Sequence, residues 1–122
     1  MPFDDEEVLA TLTLQEKASL TSGADFWHTQ PVERAALPAI MMTDGPHGLR
    51  KQVAAGGAAE IGESEPATCF PTAATLASTW DPDLVRLVGE ALGREAAAAG
   101  VAVLLGPGVN IKRTPLCGRN FE

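Results

Sequence analysis

A helix with well-marked ends, followed at once by a short apolar run, constrains this chain more than any other feature. Asp81 is a good N-cap, Pro82 suits the first helical position and Gly100 supplies a C-terminal stop, so the pattern predicts a helix over residues 82–99. Leu84, Leu87, Val88, Ala91 and Leu92 fall on one stripe, with Arg86, Glu90 and Arg94 elsewhere, as in a helix that covers a core on one side. Val101 to Leu105 is apolar and partly β-branched, and Gly106-Pro107-Gly108 ends it, which predicts a buried strand. Earlier, Ile40 to Met42 read as a strand buried on both faces that ends at Asp44, because Gly45, Pro46 and Gly48 forbid its continuation. Strand, crossover helix and strand make a βαβ unit of an α/β fold. A right-handed crossover places Asp44 and the Gly106-Pro107 turn on the same face.

That face is where α/β architectures bind ligands, which makes the Asp44 carboxylate a candidate substrate contact. Asp also caps turns through its own backbone, and the local pattern leaves both roles open.

The elements predicted before this unit are short. Residues 4–11 run from acidic to apolar, as in a helix with its acids at the positive end. Thr13 and Glu16 have capping-box spacing for a second helix ending at Ser22-Gly23. A loop carrying the adjacent aromatics Phe26 and Trp27 follows, suited to core packing or to lining a sugar site. Lys51 to Pro66, rich in Gly, Ala and Glu, reads as a long surface loop and as the least ordered part of the chain. Phe70 to Thr79 reads as a short helix or strand followed by a break.

Composition narrows the function. With 122 residues, 45% hydrophobic and a formal charge of −7, the chain fits one soluble unit, and the absence of a basic block disfavours nucleic acid. No apolar run reaches membrane-span length, and the acidic start Asp4-Asp5-Glu6-Glu7 is unlike a secretory leader, so a cytoplasmic location is expected. Cys69 and Cys117 match no metal or redox pattern and are expected as reduced thiols.

Several chemistries lack their residues. No serine sits in a nucleophile-elbow setting, and His28 and His47 lack the spacing and cysteine partners of a zinc site. Gly106-Pro107-Gly108 does not continue as a phosphate loop. No cofactor and no metal are expected. What remains is a carboxylate at one strand end, an acceptor only, with the guanidinium donors Arg50, Arg113 and Arg119 in reach of the sequence argument. Such a pair suits the hydroxyl pattern of a sugar. For Arg113 a bracing role, as a salt bridge to Asp44 or a loop support, is the preferred reading.

Four motifs in order give the chain a family resemblance: Leu12-Thr13-Leu14-Gln15-Glu16-Lys17, Thr43-Asp44-Gly45-Pro46-His47-Gly48-Leu49-Arg50, Phe70-Pro71, and the tail from Gly106 to Glu122 containing Arg113-Thr114-Pro115-Leu116-Cys117-Gly118-Arg119. The chain resembles the N-terminal domain of family 3 glycoside hydrolases, most closely their bacterial β-glucosidase branch. The resemblance implies the first βα units of a TIM-like (β/α)₈ barrel, incomplete here because such a barrel needs about 250 residues. It makes residues 1–122 an N-terminal fragment, with residues 1–38 as helices and aromatic loop and 39–122 as the first βαβ unit and following loop.

The same resemblance implies that Asp44 and Arg119 contact the sugar in the cleaved subsite, with weaker carry-over to Arg50, His47, Trp27 and Phe26. The family is retaining and uses an aspartate nucleophile and a separate acid/base about 5 Å apart. The Lys-His pair, the Ser-Asp-Trp nucleophile segment and the acid/base have no match in residues 1–122. The implied partners are a β-glucoside or oligosaccharide substrate and the remainder of the parent enzyme. Two other readings carry their own expectations: a non-catalytic carbohydrate-binding or assembly module would bind glucose as it stands, and a short independent α/β domain would unfold cooperatively.

Overall fold

The computed structural model describes residues 5–53, 63–109, 111 and 113–118, and the chain divides into two compact units, residues 1–42 and 43–122.

In the first unit, helices α1 (Asp5–Thr11) and α2 (Leu14–Ser19) follow one another across Leu12-Thr13. The capping box is formed: Thr13 Oγ1 accepts from the Glu16 amide and the Glu16 carboxylate accepts from the Thr13 amide at 2.8 Å. α2 stops at Ser19, three residues before the expected end. The Ser22 and Thr21 hydroxyls donate to carbonyls three residues back, Ser22 to Ser19 and Thr21 to Ala18, and the backbone turns there instead of continuing the helix. Neither helix has a buried residue, and Leu12 and Val32 are the buried apolar side chains among the described residues of this unit.

Arg34, at the 3₁₀ turn Glu33–Ala35, reaches across to both helices. Its guanidinium donates to the Thr11 carbonyl at 3.0 Å and to both Glu16 carboxylate oxygens, at 3.0 and 2.5 Å. α1 has no basic residue in its last turn, so Arg34 brings a cation to that helix end from 23 residues away.

Among the described residues the sheet has two strands, β1 (Met42–Asp44), which starts at the last residue of the first unit, and β2 (Val103–Leu105), hydrogen-bonded to each other. Between them run α3 (Ala73–Ala77) and α4 (Pro82–Ala98). The ends of α4 are as predicted: the Asp81 carboxylate accepts from the Leu84 amide at 3.0 Å, Pro82 opens the helix, and Gly100 has φ of +73°.

Both strands are shorter than expected. β1 begins at Met42 and Ile40 is exposed, since residues 40 and 41 pair with Thr29 and His28 in the first unit. β2 begins at Val103, although Val101 is buried. Along α4 the apolar stripe is covered only toward the C-terminus: Ala96 is buried, whereas Leu84 and Leu87 are exposed. A 17-residue helix is about 25 Å long and a three-residue strand about 10 Å, so two such strands cannot cover it.

The Lys51–Pro66 segment is not an open loop at its base. Gln52 and Ser64 form an antiparallel bridge, flanked by the bonds Val53 N–Glu63 O (2.8 Å) and Glu65 N–Lys51 O (2.7 Å). The expectation that it is the least ordered stretch falls on residues 54–62, outside those described. No helix of the described residues is long and apolar enough to cross a membrane.

Candidate functional site

The residues singled out at the end of β1 form one closed turn. The Arg50 amide donates to the Asp44 carbonyl at 3.0 Å, and the two residues are bridge partners. Asp44-Gly45-Pro46-His47-Gly48-Leu49-Arg50 thus returns the chain to the level of β1. Two glycines are required by close approach. A Cβ on Gly45 would stand 2.4 Å from the Gly48 carbonyl oxygen and 2.6 Å from Leu104 Cδ1, and one on Gly48 would stand 2.2 Å from the Thr68 carbonyl oxygen. Gly48 also has φ of +151°, which L side chains rarely adopt. Leu49, at the far side of the turn, is buried.

The turn after β2 lies against this one. A Cβ on Gly106 would be 2.9 Å from Pro46 Cα and 3.1 Å from the Gly45 carbonyl oxygen. Both strand-end turns therefore meet on one face, as the βαβ reading expects.

The Asp44 carboxylate has no hydrogen bond or ion pair among the described residues, so it does not cap its own turn and does not pair with Arg113. The Arg50 guanidinium is likewise exposed and unpaired there. His47 is half-buried. Its carbonyl accepts from the Phe70 amide at 2.7 Å, and its buried Nδ1 has no partner among the described residues. Thr43, one residue before Asp44, is 0% exposed and its hydroxyl also lacks a partner among the described residues. A half-buried carboxylate held by backbone alone can accept from one hydroxyl, while the guanidinium at the other end of the same turn donates to another.

Phe26 and Trp27 belong to the first unit. Their rings meet edge to face, with centroids 4.8 Å apart and planes at 75°. Here an aspartate does hold its own turn: Asp25 Oδ1 accepts from the Trp27 and His28 amides at 2.7 and 2.8 Å, and its carboxylate pairs with His28 Nδ1 at 2.9 Å. These bonds, led by that from the Trp27 amide, hold the Asp25 carboxyl below its ordinary range. Asp44, His47 and Arg50 thus share one turn, and Phe26 and Trp27 share another in the other unit. Arg119 lies outside the described residues.

Sequence reasoning does not reach two sets of contacts next to the Asp44–Arg50 turn. Lys51 Nζ donates to the Ala99 carbonyl at 2.8 Å and pairs with Glu65 at 3.1 Å. The Glu95 carboxylate accepts from the Thr68 amide at 3.3 Å and from the Thr68 hydroxyl. The one hint in the sequence is that α4 has no basic residue in its own last turn. Among the described residues no group of His, Cys, Asp or Glu is arranged to hold a metal ion, and both cysteines are free and exposed.

Comparison with known proteins places these features in a family. The model of the Glycosyl hydrolase family 3 N terminal domain matches residues 9–122. Thermostable beta-glucosidase B of Acetivibrio thermocellus is 62% identical over 122 residues, which are 100% of this chain and 16% of that protein. Exo-alpha-(1->6)-L-arabinopyranosidase of Bifidobacterium longum is 60% identical over 112 residues, 91% of this chain and 15% of that protein. Among solved structures, the beta-glucosidase from Kluyveromyces marxianus in complex with glucose superimposes with a TM-score of 0.84 at 42% identity, over 98% of this chain and 14% of that one. The chain thus spans about one-sixth of the length of the relatives it matches. With a family model covering all but its first eight residues, this chain belongs to glycosyl hydrolase family 3, within the N-terminal domain of that family.

Proposed function

We propose that this chain supplies part of the glycone-binding wall of a retaining β-glycosidase of the β-glucosidase type, and that the carboxylates which cleave the glycosidic bond lie outside residues 1–122. The observation that carries this reading is the Asp44 carboxylate: half-buried at the end of β1, fixed by its backbone bond to Arg50, and free of any partner among the described residues. In that setting Asp44 accepts hydrogen bonds from sugar hydroxyls and Arg50 donates to a neighbouring oxygen. Arg119 is the second sugar contact in this reading, and the family resemblance extends more weakly to His47, Trp27 and Phe26. Hydroxyl contacts of this kind strengthen as the ring distorts toward the oxocarbenium-like transition state, so they contribute to rate as well as to binding.

The fold belonging to this reading is the opening of a (β/α)₈ barrel, with residues 1–38 as its entry and 39–122 as the first βαβ unit and following loop. The adjacent strand-end turns at Pro46 and Gly106 support it, because barrel enzymes assemble their sites on that face. The partners are a β-glucoside or oligosaccharide and the remainder of the parent enzyme. A β-glucosidase and an α-L-arabinopyranosidase match at 62% and 60% identity, which supports assigning the choice of sugar and linkage to residues elsewhere. A cytoplasmic setting is part of the same proposal.

Turnover of an aryl β-glucoside tests the reading. The complete polypeptide that carries this chain should hydrolyse it with retention of configuration, and purified residues 1–122 should not. Turnover by residues 1–122 alone, or inversion by the complete polypeptide, contradicts it.

A further inference from the structure

The Asp44–Arg50 turn is held from both sides by one stretch of α4. On its exit side, Lys51 directly follows Arg50 and its Nζ donates to the Ala99 carbonyl at 2.8 Å. That carbonyl belongs to the C-terminal end of α4, where orphan acceptors and the helix dipole favour a cation and where α4 has none of its own. On the other side, the Phe70 amide donates to the His47 carbonyl, the Thr68 carbonyl packs against Gly48, and the Thr68 amide and hydroxyl donate to Glu95. Glu95 and Ala99 are four residues apart, hence one helical turn apart on the same face.

We infer that the last turns of α4 form a two-point bracket, in which Lys51 and Glu95 are positioning residues that fix the Asp44–Arg50 turn without touching the ligand themselves. The two limbs differ in kind. Lys51 fixes the backbone that follows Arg50, while Glu95 acts through Thr68 and Phe70 on His47. The Lys51–Glu65 pair is the lesser part of the first limb, because Glu65 is 40% exposed and solvent screens it. The functional consequence rests on the sugar-contact reading of Asp44, whereas the bracket itself is independent of it.

The test uses the complete polypeptide, hydrogen exchange resolved to the Arg50 and Phe70 amides, and glucose affinity by titration calorimetry. Lys51→Met should speed exchange at Arg50 about tenfold, as expected for loss of a hydrogen bond from a charged donor, and weaken glucose by a similar factor. Amides in the middle of α4 should keep their rates. Lys51→Arg should restore both values, because a guanidinium still donates to the Ala99 carbonyl, and Glu65→Gln should change them less than about twofold. Thr68→Val probes the second limb with Lys51 intact and should speed exchange at Phe70. Unchanged Arg50 exchange in Lys51→Met, or a rise matched throughout α4, overturns the bracket. Should Lys51→Met fail to fold, unchanged Phe70 exchange in Thr68→Val overturns it instead. Faster Arg50 exchange with unaltered glucose affinity in both Lys51→Met and Asp44→Asn leaves the bracket standing and removes the sugar contact. Weaker glucose binding in Asp44→Asn with no effect of Lys51→Met does the reverse.

Discussion

Arg50 donates its amide to the Asp44 carbonyl at 3.0 Å, and this single backbone bond closes a turn that leaves both side chains without partners among the described residues. Asp25 is the counter-example within the same chain, since its carboxylate is engaged by its own turn. The difference decides which aspartate is available to a ligand, and it makes Asp44 replaceable by a neutral isostere without loss of the turn.

Gly48 should tolerate no side chain. Its φ of +151° and the 2.2 Å separation of a Cβ from the Thr68 carbonyl oxygen combine backbone strain with a clash against main chain. Gly48→Ala should cost about 2 kcal/mol or more in denaturant unfolding. Gly89→Ala, where nothing lies within 4 Å, should instead stabilise α4 by about 0.5–1 kcal/mol.

Thr43 carries a buried hydroxyl with no partner among the described residues, a burden of about 1–3 kcal/mol in typical proteins. Thr43→Val keeps the β-branched shape and removes the unsatisfied group. It should raise the unfolding free energy by about 1 kcal/mol. A loss of stability would mean that the hydroxyl is satisfied in solution.

The first unit should lose stability in acid in a defined window. The Arg34 guanidinium, followed by the Thr13 bonds, lowers the Glu16 carboxyl from 4.5 to about 2. A carboxyl depressed on folding stabilises fully above its unfolded value, and that contribution disappears as pH falls through its folded value. Tm should therefore fall between about pH 4.5 and 2, and Arg34→Met should flatten the curve over that range. Asp25, also lowered, adds in the same direction.

Much of this was legible in the sequence because it is local. Thr13 with Glu16, and Asp81 with Pro82 and Gly100, mark helix ends through contacts within four residues, and the structure forms each of them. Asp44 as the last residue of its strand followed from the glycines and proline after it. Strand starts are not legible in the sequence, because apolar character says nothing of partners: Ile40 pairs with Thr29 before the sheet begins. Least legible were the cations that finish helices from a distance. Arg34 on α1 and Lys51 on α4 lie 23 and 48 residues from the carbonyls they serve, and no sequence period links them.

Whether Asp44 contacts the sugar is measured by kcat/KM of Asp44→Asn for an aryl β-glucoside in the complete polypeptide. Because the turn does not use the carboxylate, Tm should stay at the unmodified value. kcat/KM should fall about 100-fold or more, equivalent to about 2.7 kcal/mol of transition-state stabilisation. A value within about twofold of the unmodified protein, at unchanged Tm, would contradict the account.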